Sequence, residues 1–349
     1  VPVNEAYNNG KYTIAEKKEM FPHLFNSLSV VIPVLSSTFA SVGRFLKYAG
    51  NMSLGMLIID ESGQAVPQSA LGAIYRTRQA VVVGDPLQVE PVVTIPKVLI
   101  DILADSIGVA NEYKTIENSV QSFADNMNEF NGMIGERQVG CPLVVHRRCI
   151  EPMFSISNMI SYDNRMFNKT NKKEDYLKPE QPFLIKKSGW IDVEGVENGG
   201  KDHFVKNQAE RVCQLMERAV HIYSDLFETE EKIFIITPFR TVAESMRKYV
   251  ISYFSAQGYD KDTLSKWTKN CIGTVHTFQG KDANEVLLVL GCSNKSAGAM
   301  NWVVKKANIL NVACTRAKYR IAFIGNINDW KNRRYFREFI PNLIDTIDV

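Results

Sequence analysis

Leu54-Gly55-Met56-Leu57-Ile58-Ile59-Asp60-Glu61-Ser62-Gly63-Gln64 is the stretch that decides the fold. Apolar residues Met56 to Ile59 run directly into two adjacent carboxylates. A short continuous apolar run suits a strand buried on both faces of a parallel sheet. Ligand chemistry in such sheets collects at the carboxyl ends of the strands. Asp60 and Glu61 therefore fall at a functional edge, where one carboxylate suits Mg²⁺ and its neighbour can orient or deprotonate water. The plainer alternative is a strand that ends in a solvated acidic turn.

Working outward, the pattern recurs. Ala80 to Val83 form a second apolar run that breaks into Gly84-Asp85-Pro86-Leu87-Gln88. Its distance from the first run matches one β-α-β step, with a helix between over Val66 to Tyr75. Upstream, the sequence predicts a short helix stopped before Pro22 and a buried strand within Leu28 to Leu35. The hydroxyl residues Ser36 to Ser41 then cap a helix or meet a phosphate. Downstream, helices are predicted near 96–106 and from Ser119, and glycines 132, 135 and 140 mark a boundary.

Beyond it, Val144–Val145 is a short apolar run that ends in two arginines, apolar runs at Trp190–Val193, Lys232–Ile236, Glu285–Leu290 and Arg320–Ile324 read as strands, and Cys271–Gly280 reads as a strand breaking into a glycine turn. Helical spacing covers 150–161, 205–223, 241–256, 303–317 and 327–338. Strand–helix units in both halves imply an α/β protein of two doubly wound parallel-sheet domains, 1–138 and 139–349.

The bulk numbers exclude some classes. A chain of 349 residues with net charge +3 carries no strong global nucleic-acid signal, so basic surface must be local. No apolar run approaches the ~20 residues that span a bilayer. The six cysteines (141, 149, 213, 271, 292 and 314) form no Cys-x-x-Cys pair and read as small buried hydrophobes of a reducing compartment, with the cytoplasm as the default. The lysine-rich segment 164–187, with Lys172 and Lys173, is a solvated loop or a phosphate-backbone contact.

Taken together, these loops resemble superfamily 1 helicases, in particular the subgroup around the nonsense-mediated-decay helicase and its bacterial members. Asp60-Glu61-Ser62-Gly63-Gln64 resembles motif II, and Gly84-Asp85-Pro86-Leu87-Gln88-Val89-Glu90-Pro91 resembles motif III. His146-Arg147-Arg148-Cys149 is similar to the family's Tyr-Arg-Met or Tyr-Arg-Cys element, and Thr237-Pro238-Phe239 to its Thr-Pro-Tyr. Gly273 to Asp282 resembles motif V, and Asn311 to Lys318 resembles motif VI.

The resemblance implies two RecA-like domains, the first incomplete at its N-terminus, and assigns roles. Asp60 would hold Mg²⁺ and Glu61 would activate the attacking water, while Gln88 would sense the γ-phosphate. Arg148 and Arg316 would be arginine fingers, with Arg147 as the substitute one register away. Gln64, Gly280 and Asp282 would lie at the nucleotide; Asp282 is one carbon shorter than the family's Glu. Thr38, Thr274, His276, Lys172 and Lys173 are candidates for nucleic-acid contact.

One element departs from the family. No Gly-x-x-x-x-Gly-Lys-Ser/Thr loop, which would cradle the phosphates, occurs in the sequence. The expectation is a motor fragment acting on single-stranded DNA or RNA, DNA favoured, using ATP and Mg²⁺. Its phosphate loop would lie upstream in the same polypeptide, and the fragment alone would lack ATPase activity. The rival expectation is a non-catalytic helicase-like clamp for nucleic acid or protein. Neither involves a membrane.

Overall fold

Parallel strands pair only when a crossover lies between them, and here each crossover is a helix. The computed structural model describes residues 11–93, 95–110, 113, 118–135, 137–170, 183–199, 202–278 and 280–343. The chain divides into one compact unit of Val1–Pro86, Glu90–Gly132 and Gln138–Cys141 and a second of Leu87–Val89, Met133–Arg137 and Pro142–Val349.

In the first unit, β1 (Leu54–Ile59) and β2 (Thr77–Val82) pair in parallel, with Ile58 opposite Val81. Helices α1 (Ile14–Val31), α2 (Phe39–Phe45), α3 (Pro67–Tyr75), α4 (Lys97–Ser106) and α5 (Val120–Met127) accompany them. Two small clusters form the core, one around Phe21, Val42, Leu46, Ala49 and Ala73, the other around Ile59, Ala70 and Val120.

Three expectations are corrected in this unit. Helix α1 runs through Pro22 instead of stopping before it. A Thr13–Glu16 capping box starts the helix, and the Phe21–Phe25 stack, centroids 4.2 Å apart, packs into the first cluster and carries it past the proline. The predicted strand within Leu28 to Leu35 is instead the last turns of α1 followed by unpaired chain, with Val30 85% exposed. Finally, β1 is not buried on both faces: Ile59 is buried, but Ile58 is 65% exposed, because two strands and the described helices cover only one side.

Two three-residue strands follow, β3 (Gly132–Ile134) and β4 (Arg137–Val139). In the second unit, β5 (Val145–His146) and β6 (Phe167–Asn168) make a small parallel pair, with α6 (Met153–Ser161) between them. The main sheet has five parallel strands in the order β7 (Gly189–Asp192), β11 (Ala317–Gly325), β10 (Ala283–Val289), β8 (Ile233–Thr237) and β9 (Ile272–Thr274). This places the protein in the α/β class with a parallel sheet. Helices α7 (Lys206–Ile222), α8 (Arg240–Ser255), α9 (Lys261–Cys271), α10 (Ala297–Val303), α11 (Asn308–Arg316), α12 (Ile327–Trp330) and α13 (Phe336–Phe339) complete the unit.

The sheet strands are almost wholly buried, as their unbroken apolar runs require. The predicted 303–317 and 327–338 helices are each broken, and α9 was not anticipated. Five cysteines are buried as expected, but Cys141 is exposed. Among the described residues, no helix is long and apolar enough to cross a membrane.

Candidate functional site

In the first unit the chain leaves β1 at Asp60, which is exposed, and Asp60 Oδ1 accepts the Glu61 N–H at 2.9 Å. Glu61 adopts a left-handed backbone, φ 51° and ψ 37°, a conformation that costs a non-glycine residue about 1–3 kcal/mol unless its surroundings impose it. The surroundings do so. The Ser62 N–H donates to the Val83 carbonyl at 3.0 Å, and Gln64 Nε2 donates to Glu61 Oε2 at 3.2 Å. The buried Ser62 hydroxyl lies 2.9 Å from the Val83 carbonyl oxygen and 2.5 Å from Gln121 Oε1. Gln121 in turn donates to Asp125 Oδ1 at 2.8 Å, which also accepts the Gly140 N–H at 3.0 Å.

The turns after β1 and β2 approach so closely that side chains are excluded. A Cβ on Gly84 would lie 2.6 Å from Ser62 Oγ and 2.9 Å from the Gly63 nitrogen, and one on Gly63 would lie 2.9 Å from the Asp85 carbonyl oxygen. Gly84→Ala is therefore expected to destabilise this unit by about 1–3 kcal/mol through overpacking, a loss that denaturant unfolding would measure. The donor set of Asp60 fits Mg²⁺: it is an exposed, oxygen-only ligand with Oδ1 oriented by a main-chain N–H.

In the second unit, several predicted residues converge around Gly280, Lys281 and Asp282. Arg148 Nε lies 4.0 Å from Asp282 Oδ2, and Lys318 Nζ lies 2.7 Å from Asp282 Oδ1. Gly280 is exposed and holds φ at +78°, a conformation suited to glycine. Arg316 is wholly buried, so its guanidinium is not presented to solvent. Its Nη1 donates to the Lys281 carbonyl at 2.9 Å and the Phe278 carbonyl at 3.3 Å. Sequence reasoning passed over Lys318, although it stands two residues from Arg316 in the same motif.

Gln88 is half-buried and belongs to the second unit, where Asn308 Nδ2 donates to its carbonyl. Buried Asn311 donates to the Leu87 carbonyl and to the Tyr162 hydroxyl, each at 3.0 Å, and accepts from Ser157 at 2.5 Å. These asparagines of α11 fix the strap 87–89, and no sequence signal separated their roles. Thr274 is half-buried with its hydroxyl 3.3 Å from Thr277 Oγ1; His276 and Arg147 are exposed. In the first unit, Thr38 is exposed at the start of α2 and Gln64 is exposed beside Glu61. Lys172 and Lys173 lie outside the described residues.

His146 Nε2 accepts the Cys149 N–H at 2.9 Å, so that nitrogen must be unprotonated. Burial, and then the charge of Arg148, hold the imidazole below its ordinary 6.5. As the pH drops below that value, the unfolded chain binds a proton here that the folded unit refuses, and stability falls. His146→Gln keeps an acceptor but cannot titrate. The loss of stability between neutral and mildly acidic pH is expected to be smaller in that variant when urea midpoints are compared.

A sequence profile of the AAA domain family matches residues 126–328, and a second AAA domain profile matches residues 4–95. An uncharacterized ATP-dependent helicase of Methanocaldococcus jannaschii is 22% identical over 365 residues, 97% of this chain and 47% of the relative. The ATP-dependent helicase upf1 of Schizosaccharomyces pombe is 24% identical over 279 residues, 77% of this chain and 26% of the relative. A structure of the arterivirus nonstructural protein 10 helicase in complex with DNA aligns with a TM-score of 0.36 at 12% identity, covering 79% of this chain and 41% of that one. The chain thus spans less than half the length of these relatives.

Proposed function

The chain belongs to the AAA domain family, and on that premise we propose that it is the motor portion of an ATP-dependent helicase or translocase of the Upf1-like superfamily 1 type, acting on single-stranded nucleic acid. The observation that carries this reading is the β1 turn. There Glu61, next to exposed Asp60, is held in a left-handed conformation beside a turn packed too closely to admit a Cβ at Gly63 or Gly84.

In this reading Asp60 supplies the carboxylate for Mg²⁺, and Glu61, held by Gln64, orients and deprotonates the attacking water. Bound Mg²⁺ supplies charge neutralisation to the phosphates. Asp282 holds Arg148 and Lys318 beside Gly280 and Lys281, so a cation can be handed to developing phosphate charge. Arg316 positions Phe278 and Lys281 through their main-chain carbonyls. Gln88 responds to the terminal phosphate, and Thr38, Thr274 and His276 meet the nucleic-acid backbone.

The phosphate loop comes from a segment outside this sequence, so this chain alone turns over no ATP. DNA is the favoured strand, RNA the alternative.

The test is fluorescence anisotropy of labelled single-stranded DNA and RNA against the chain at rising salt. Binding that weakens log-linearly with salt is expected, since each neutralised phosphate releases a counterion. No detectable binding of either strand at low salt would overturn the nucleic-acid assignment.

A further inference from the structure

One cluster in the second unit has no part in the proposed chemistry. Glu197, His203 and Cys292 offer a carboxylate, an imidazole and a thiol whose ligand atoms all lie within 4.8 Å of one another. Glu197 and His203 belong to the loop that joins β7 to α7, and Cys292 lies three residues past the end of β10. Strand β11 separates β7 from β10 in the sheet, so the three residues bring together loops from non-adjacent strands at the carboxyl edge.

From this geometry we infer a binding site for a thiophilic divalent cation of the Zn²⁺ class, with Glu197, His203 and Cys292 as three protein ligands and a fourth position left to water. Bond lengths of about 2.0–2.3 Å to nitrogen, oxygen and sulfur set ligand atoms about 3.3–3.7 Å apart around a tetrahedral ion. His203 Nδ1 lies 3.1 Å from Glu197 Oε2, close to that separation. Two lone pairs at such a distance need either a proton or a metal ion between them. The thiol needs no large movement to join them, and a mixed N, O and S set favours Zn²⁺ over Mg²⁺ or Ca²⁺.

The supporting shell is in place. Ser293 Oγ donates to Glu197 Oε1 at 3.1 Å, and Ser296 also hydrogen-bonds this carboxylate, so neighbouring hydroxyls fix its orientation. The Cys292 N–H donates to the His203 carbonyl at 2.9 Å, tying two of the ligands together through the main chain. Both residues hold φ at +57°, in the left-handed region that non-glycine residues enter when their surroundings demand it. Preceding Gly291, with φ +62°, approaches so closely that a Cβ would lie 2.8 Å from the same carbonyl. Glu197 and Cys292 are buried, while the His203 side chain retains 18% exposure and gives an entry path. On binding, the thiol proton leaves to solvent, the imidazole's one N–H moves to Nε2 so that Nδ1 offers its lone pair, and the ion staples the loop before α7 to the end of β10.

The test titrates Co²⁺, then Zn²⁺, into the chain carrying Cys141→Ser, which removes the exposed cysteine as a competing thiol. One equivalent of Co²⁺ is expected to produce a thiolate-to-metal charge-transfer band that Zn²⁺ abolishes. The band is expected to vanish in Cys292→Ser. Zn²⁺ is also expected to raise the thermal midpoint of the parent but not of that variant. Should Cys292→Ser fail to fold, His203→Gln at a partly exposed position asks the same question. An affinity at least about tenfold weaker supports the site, since even supporting residues act on that scale. No charge-transfer band in the parent, or a band and affinity unchanged in both variants, would show an ordinary hydrogen-bonded cluster and overturn the proposal.

Discussion

Arg316→Ala is expected to destabilise the second unit by about 3–4 kcal/mol, because it removes a wholly buried cation together with every hydrogen bond that cation makes. The guanidinium is balanced where it stands. Arg316 is the last residue of α11, and its Nε reaches back to the Val312 carbonyl at 3.3 Å, at the helix end where the macrodipole favours positive charge. Its Nη1 meets the Phe278 and Lys281 carbonyls. Truncation takes the guanidinium away from the Lys281 carbonyl, whereas the Phe278 carbonyl keeps the Lys281 N–H at 2.9 Å, and it opens a cavity of several methylenes. Arg316→Lys keeps the charge but places one ammonium where a planar fork spanned separate acceptors, so roughly half of the loss is expected. Equilibrium unfolding in urea would measure both. An arginine that contributed nothing to the fold would leave the midpoint unmoved.

Glu285→Ala follows with an expected loss of about 3–5 kcal/mol. Glu285 is fully buried within β10, immediately before the apolar run Val286 to Val289. It accepts the Leu184 N–H at 2.9 Å, the Ile185 N–H at 2.6 Å and the Tyr223 hydroxyl at 2.6 Å. Burial pushes its carboxyl up from the ordinary range, against the pull of these donors. Alanine leaves two buried main-chain donors unmatched, each worth about 1–3 kcal/mol, and frees the half-buried Tyr223 hydroxyl. Glu285→Gln is the sharper comparison. It has the same shape, but its amide nitrogen faces a main-chain donor or the Tyr223 hydroxyl, and about 2–3 kcal/mol is expected to go. A glutamine variant as stable as the parent would mean that the carboxylate does not hold the 184–185 segment to the sheet.

These two residues also mark what could be read in advance. The runs Lys232–Ile236 and Glu285–Leu290 were legible as strands because a sheet covered on both faces leaves an unbroken apolar signature. Helix α7 was legible through its spacing, and the β1 turn through carboxylates following an apolar run. Glu285 was read only as the polar start of a strand, since nothing local reveals that two main-chain N–H groups a hundred residues away will meet it. Arg316 was legible as a cation in a helicase-like motif, but its burial depends on where the Phe278 and Lys281 carbonyls come to meet it. Pro22 misled because the rule for proline in helices is local, while the Phe21–Phe25 packing that overrides it is tertiary. The run from Met56 to Ile59 misled differently: its sequence describes a strand covered on both sides, yet Met56 and Ile58 stand exposed. The Glu197–His203–Cys292 cluster was invisible, because its members are spread over 96 residues with no ligand spacing.

The role proposed for the β1 turn is ATP hydrolysis with Asp60 and Glu61 as the hydrolytic pair. The decisive measurement is nucleic-acid-stimulated ATP hydrolysis by a protein that joins this chain to a Gly-x-x-x-x-Gly-Lys-Ser/Thr segment, compared with its Glu61→Gln variant. Loss of turnover by about 10²–10⁴-fold, the scale of general-base catalysis, is predicted, with single-strand binding retained. Turnover that survives Glu61→Gln undiminished would contradict the assignment of Asp60 and Glu61 as the hydrolytic pair.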